Sequence, residues 1–333
     1  MGDRQEPQSV LEIGFLDGIP KLLACVIFSI VICFYPTSPH ASDQTTNILI
    51  LKSGTASFYD NVVDHIKKHF DHLCASEGKF CNKLNIQSYI SNEAKPIYQE
   101  YGLVITLGLK ARDYALRHLN RSTIINAMVP NHAGIDSDIT RSPKTYRTII
   151  LEQPIERSFH LIKKILQPAR RIGILIRPSE HRHINNLAKK AKKVGLSIHT
   201  EVIENEDEIG RKLSMLLDRV DVLLAQPDNK LYNRKTVSKI LLSSYRKNIP
   251  VIGYSSAYVK AGALAAVYSS PEDIGKDIGV TIADYLAHRK IPTGSIFPSF
   301  FSVSINEKVG ASLGIQLKSE PDDIVKYIQE NEQ

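Results

Sequence analysis

Short, uninterrupted apolar runs separated by amphipathic stretches restrict this chain to parallel sheets covered on both faces. Asp221-Val-Leu-Leu-Ala225 is one such run, and it stops at Gln226-Pro-Asp-Asn229, so a turn sits at its carboxyl end. From Leu231 to Arg246, the residues Val237, Ile240, Leu241 and Tyr245 fall on one helical stripe, and Ile249-Pro-Val-Ile-Gly253 opens the next run. The spacing predicts a βαβ unit. Tyr254-Ser-Ser-Ala-Tyr258 follows its second strand, and Gly262 to Tyr268 returns as a third. Ligands of open parallel sheets lie outside the carboxyl ends of the strands, so the loops at 226–230 and 254–258 share one candidate binding edge.

The same alternation runs through the rest of the chain. Asn47–Leu51, Leu84–Ile90, Leu103–Leu107, Ile124–Val129, Arg147–Leu151 and Ile172–Ile176 read as strands. Phe58, Val62, Val63, Ile66, Phe70 and Leu73 recur at helical spacing just beyond Lys52-Ser-Gly-Thr-Ala56. Ser53 and Thr55 are therefore candidates: free N–H groups at that helix start could receive an anionic group, although such residues also cap helices without binding anything. A helix over Ile155–Leu166 follows the Arg147–Leu151 strand, and a second set of strands begins after it.

With 333 residues and 43% hydrophobic content, two domains are the default expectation. The net charge of +7 is spread along the chain and interleaved with acids, which argues against a nucleic-acid partner. Lys189, Lys190, Lys192 and Lys193 read as the solvated face of a helix. Leu22 to Tyr35 is too short to span a bilayer comfortably and resembles the core of a signal peptide, which predicts export. Residues 1–41 are read as that signal, cut near Ala41, or as a retained anchor, because Asp3, Glu6, Glu12 and Asp17 outnumber the bases before the run. In an oxidising compartment Cys74 and Cys81 make a plausible disulfide across a short loop. The alternative, a metal site, lacks a ligand cluster at suitable spacing, and His65, His69 and His72 read as a solvated helix face.

Several separated phrases carry a resemblance. "IPVIGYSSAYVKAGALAAVYSSPEDIG", preceded by "LLAQPDN" and followed by "PSFFSVSINEKVGASLGI", resembles the closing domain of bacterial ABC-transporter substrate-binding proteins, the group that includes tryptophan- and tyrosine-type binding proteins. The likeness continues upstream through "LEQPIERSFHLIKKILQPARRIGILIRPSEH" and covers roughly Arg147 to Ile315. It implies a two-lobed α/β fold of the periplasmic-binding-protein type I-like class, each lobe a parallel sheet flanked by helices, joined by a hinge. The implied boundaries are 44–148 with 298–320 for the first lobe, 149–297 for the second, and 321–333 as a frayed tail. Thr106 and Gly108 become candidates by position, since a comparable turn lies beside the ligand in that family.

The resemblance implies a periplasmic monomer without cofactor or metal that captures a small organic solute between its lobes and serves an ABC-type membrane permease. A sensing subunit for a membrane receptor or kinase is the alternative. An enzyme finds little support, because the chain has no Gly-rich dinucleotide fingerprint, P-loop or nucleophile elbow. Gln226, Asp228 and Asn229 are expected to hold ligand from one loop and Tyr254 and Ser255 from the other, with Tyr258 stacking or only packing. Asp228 could instead cap the helix expected from Leu231. Many relatives carry a Ser-Asp-Glu-like loop where this chain has Tyr254-Ser-Ser256, so a carboxylate for an amino acid's ammonium is missing there.

Overall fold

The computed structural model describes residues 46–77, 84–91, 101–119, 121–131 and 145–332. The expected export segment at 1–41 lies outside the described residues. So does the Cys74–Cys81 pairing, which depends on the side chain of Cys74 and on Cys81.

Two six-stranded sheets form the described protein. The first takes β1 (Thr46–Lys52), β2 (Leu84–Ile90), β3 (Leu103–Leu107), β4 (Thr123–Val129), β5 (Tyr146–Ile150) and β11 (Gly294–Ile296), all parallel, in the order β11-β5-β4-β3-β1-β2. The second takes β6 (Arg171–Ile176), β7 (Ser197–Val202), β8 (Val222–Leu224), β9 (Val251–Gly253), β10 (Ala265–Tyr268) and β12 (Ser302–Ile305), in the order β12-β10-β9-β8-β6-β7. Its strands are parallel except β12, which runs antiparallel to β10. The two sheets repeat one strand order, with the last strand parallel in the first and antiparallel in the second, and each lobe is a doubly covered sheet as the apolar runs require.

Alternating side chains of the first sheet feed two cores. Ile48, Ile50, Ile105 and Ile125 meet Val62, Ile66 and Phe70 of α1 (Ser57–Glu77), while Leu49, Leu51 and Val104 meet Ala111 and Ala115 of α2 (Leu109–His118). In the second sheet Ile172, Ile174, Val222 and Ile252 pack on Phe159 and Ile162 of α3 (Ile155–Ile165) and on α4 (Ile184–Lys193). Leu175, Leu223 and Val251 pack on α5 (Ile209–Leu217), α6 (Val237–Arg246) and α7 (Ser256–Lys260). The helix expected from Leu231 thus starts later. Asn233 Oδ1 accepts the N–H of Lys235 (2.8 Å) and Thr236 Oγ1 donates to the Leu231 carbonyl (2.6 Å), which hold residues 230–236 in turns.

The lobe boundaries need correction. α8 (Pro271–His288) was expected in the second lobe, but its buried stripe of Ile274, Ile278, Ile282 and Tyr285 completes the α1 core of the first. Close approach makes this possible. A Cβ on Gly275 would meet His65 Cβ at 2.6 Å, and one on Gly279 would collide with His69 Cδ2. His65 and His69 are consequently half-buried helix contacts and not a solvated face; among the described residues no cluster suited to a metal occurs. Conversely, the stretch expected to return to the first lobe stays in the second: β12 extends its sheet, the short α9 (Glu307–Ser312) follows it, and the "frayed" tail is α10 (Pro321–Asn331), whose Ile324 and Ile328 are fully buried against α3 and the sheet.

The chain passes between the sheets three times, after β5, after β10 and after β11. Arg157, buried at the start of α3, ties these passages together. It donates to Gln153 Oε1, to the Pro298 carbonyl (2.8 Å) and to both carboxylate oxygens of Glu332, and it stacks 4.0 Å from the Phe301 ring centroid. Gln153 in turn donates to Ser269 Oγ (2.6 Å). Two carboxylates of α8 grip the same region: Asp273 Oδ2 accepts from Ser270 and Ser302, and Asp277 accepts the backbone N–H groups of Ser299 and Phe300.

Candidate functional site

Strand order locates the site independently of any loop composition. In the first sheet the order reverses between β1 and β3, and in the second between β6 and β8. Adjacent loops leave in opposite directions there, opening a crevice at the carboxyl ends where ligands of doubly wound sheets bind.

At the first reversal the loops after β1 and β3 are locked to each other. Ser53 Oγ accepts the N–H of Ala111 (3.0 Å), so a residue of one loop caps the helix that follows the other. Gly108 stands at the start of α2 with φ 90°, and a Cβ there would lie 2.7 Å from Ser53 Oγ and 3.1 Å from the Tyr59 hydroxyl. Gly108→Ala is expected to cost about 1–3 kcal/mol from strain and collision. Gly54→Ala, whose Cβ would meet only the Tyr59 ring at 4.0 Å, is the control. Comparable melting of both variants would refute this account. Thr55 is exposed.

Thr106 does not line the crevice. Fully buried, it donates to Asn126 Oδ1 (2.7 Å), and Asn126 donates to Thr148 Oγ1 (3.3 Å), a polar ladder across β3, β4 and β5. The sequence position was right for the turn but the alternation of the strand turns this side chain inward.

At the second reversal the central feature is an ion pair between loops. Arg177, the first residue after β6, donates its Nε to Asp228 Oδ2. Asp228 Oδ1 accepts the N–H groups of Lys230 (2.8 Å) and Leu231 (3.3 Å), so both of its oxygens are committed. The expectation of a carboxylate open to ligand is therefore corrected: Asp228 is buried, shapes its own turn and orients Arg177. The Asp228 bond in turn raises the Arg177 pKa above its ordinary value, so the guanidinium stays charged. Glu180 turns one oxygen inward, where Oε2 accepts the backbone N–H of Arg177 (3.0 Å).

Beside this pair lie three tyrosines. Tyr254 and Tyr258 have ring centroids 5.2 Å apart, and Tyr232 packs edge-on against both at 6.4 and 6.2 Å. Tyr258 is buried in the core under α7, which corrects its assignment as a ligand contact; its Cβ and ring fill the space left by Gly253. Ser255 is likewise occupied, as its hydroxyl accepts the Tyr258 N–H (3.2 Å) and caps α7. Tyr254 is half-buried, with its hydroxyl 3.4 Å from the Tyr232 carbonyl. Burial, together with the charge of Asp228, pushes the Tyr254 phenol up, so it remains a neutral donor. Gln226 is half-buried and Asn229 exposed. The sequence matched Arg177-Pro-Ser-Glu180 to a polar loop of the resembled family but gave Arg177 no role in the site; its place there follows from the adjacency of β6 and β8.

A groove of about 740 Å³ lies elsewhere, at the opposite edge of the second sheet between Lys164, Pro168, Asp221, Pro250 and Gln316. It adjoins the amino ends of β6, β8 and β9, away from both reversals.

The family model described as "ABC transporter substrate binding protein" matches residues 90–330. The chain belongs to that family. Within it, a tyrosine-binding protein of Clostridioides difficile (strain R20291) is 26% identical over 185 residues, which are 54% of this chain and 52% of the relative. The chain thus spans about half the length of that curated relative. Among solved structures, an ABC domain in complex with L-Trp from Streptococcus pneumoniae shares the fold with a TM-score of 0.54 at 20% identity, over 85% of this chain and 98% of that one. A ligand-free, open substrate binding protein with adhesive properties from Clostridium difficile gives a TM-score of 0.64 at 18% identity, over 83% and 97% of the two chains. The two-lobed binding-protein fold expected from the sequence is the fold observed. No helix among the described residues is long and apolar enough to cross a membrane.

Proposed function

We propose that this protein captures a small organic solute between its two lobes, outside the cytoplasm, and presents it to the membrane permease of an ABC importer. The observation that carries the reading is the duplicated strand reversal: each lobe places a crevice at the carboxyl end of its sheet, and three chain passages join the lobes. A solute contacting both edges would interact differently with open and closed forms, and that difference is what drives closure. Ser53, Thr55 and Gly108 would form the first wall, and Arg177, Gln226, Asn229 and Tyr254 the second. The apolar run at 22–35 would direct export to the periplasm, where Cys74 and Cys81 could pair. Tyrosine, the ligand in the name of the Clostridioides difficile relative, would need a partner for its ammonium; in the loops after β6 and β8 Asp228 is fully committed, which leaves one oxygen of Glu180.

Native mass spectrometry of full-length protein purified from its own cells tests the reading. One small solute per chain is expected, and returning it to stripped protein should reduce the radius of gyration in solution scattering. Protein that retains no solute, and whose scattering is unchanged by a heat-clarified extract of those cells, would overturn it.

A further inference from the structure

Among the described residues, the loops after β6 and β8 (177–183 and 226–236) contain two acids, and the buried one, Asp228, has both oxygens committed. Glu180 is bound to the Arg177 backbone, and Asp228 divides its oxygens between two N–H groups and the Arg177 Nε. The guanidinium is the reverse case. Asp228 engages one of its five N–H donors, no other partner of the guanidinium occurs among the described residues, and 32% of the Arg177 side chain is exposed against 4% of the Asp228 side chain. Asp228 is therefore a buried strut that fixes the plane of an arginine whose outer edge remains open. Lys230, Arg234 and Lys235, exposed on the β8 loop, add a field of the same sign.

We propose that Arg177 is the anion-recognising residue of the cleft and that the solute is a small organic carboxylate. This rests on the solute-binding reading above and adds the chemical class of the solute. A guanidinium held at Nε presents parallel N–H groups that match the two coplanar oxygens of a carboxylate. A phosphate offers oxygens too, but its second charge would face a single guanidinium already partly neutralised by Asp228. A cation at Asp228 would have to displace Arg177, and Glu180 would offer it only the oxygen that does not hold the Arg177 N–H. Tyr254 keeps its phenol proton on the Tyr232 carbonyl (3.4 Å), so the anion's donors come from Arg177.

The test uses full-length protein stripped of solute, with benzoate, its neutral counterpart benzamide, and inorganic phosphate as probes, read by calorimetric titration and thermal shift. Benzoate is expected to bind at least tenfold more tightly than benzamide, and Arg177→Gln should weaken benzoate about 10–100-fold while leaving benzamide unchanged. Arg177→Lys, which keeps a cation against Asp228 and so protects the fold, should also lose most of the benzoate preference because it lacks the fork. Equal binding of benzoate and benzamide, or a benzoate preference that survives both substitutions, overturns the proposal; so does tighter binding of phosphate than of benzoate. A neutral solute retained in the native mass spectrum would defeat the carboxylate assignment and leave the solute-binding reading intact. Protein that retains nothing from its cells yet shows the Arg177-dependent benzoate preference would do the opposite.

Discussion

Arg157→Ala is expected to lower unfolding stability by about 3 kcal/mol, the upper end of what hydrogen bonds to a charged group contribute, with the packing on Phe301 lost as well. The side chain is only 7% exposed and serves four groups at once, so its loss strands the Gln153 amide and the Pro298 carbonyl and releases the exposed Glu332 from the fold. Those groups belong to the first passage between the sheets, the third passage and the end of α10, so no local rearrangement can re-satisfy them all. Arg157→Lys should recover less than half of the loss, because an ammonium cannot bind Glu332 through two parallel donors while also stacking on Phe301. Urea titration of the three proteins measures both differences. A value for Arg157→Ala within about 1 kcal/mol of the parent would mean that the three passages are held by their backbone alone.

The second large effect is a pH dependence located at Asp277. Burial pushes this carboxyl up to about 6, and the nearby charge of Asp273 pushes the same way; the N–H groups of Ser299 and Phe300 oppose the shift without cancelling it. A carboxyl that binds its proton more tightly folded than unfolded favours the folded state while protonated. Its contribution is fully present below the unfolded value near 3.8 and is lost as pH rises through about 6. The span of that shift is on the order of 2–3 kcal/mol. Other carboxylates change stability over the same interval, so the informative quantity is the difference between the parent protein and Asp277→Asn. Between pH 8 and pH 4 the parent should gain that much relative to the variant, most of it between pH 6.5 and 4.5. Parallel stability curves would show that Asp277 stays ionised and is fully compensated by its two N–H donors.

The alternation of strands and helices was legible because it depends on near neighbours. Continuous runs such as Leu103–Leu107 and Val222–Leu224 can only be buried strands, and they are. What failed was assignment across long separations. The stripe Ile274, Ile278, Ile282 announces that α8 is buried on one face but not which sheet it covers, and chain proximity favoured the wrong lobe. The better signal was Gly275 with Gly279, small residues one turn apart that permit close contact with a second helix. The candidate site divides the same way. Its loops were found from composition, while the roles of individual side chains were set by partners far away in sequence. Thr106 is claimed by Asn126 on the neighbouring strand, and Asp228 by Arg177 on another loop. Residues with hydroxyl or carboxylate groups looked equally suited to a ligand and to the protein itself, and the protein had taken several of them.

That α8 closes a core begun at β1 also constrains how the molecule can be made. During synthesis β1 to β5 are complete by Ile150, yet the core that Ile50 and Ile105 share with Phe70 of α1 stays open on one side until α8 has emerged, after the strands β6 to β10. At roughly 5–20 residues per second that interval is on the order of ten seconds, long enough for an open apolar face to attract other chains. The second lobe waits in the same way for α10, which supplies Ile324 and Ile328 to its core. Neither lobe is therefore a segment that can be cut out and produced alone. A stable version of the first lobe would require residues 46–150 to be rejoined to 271–296 by an artificial link, leaving out everything between.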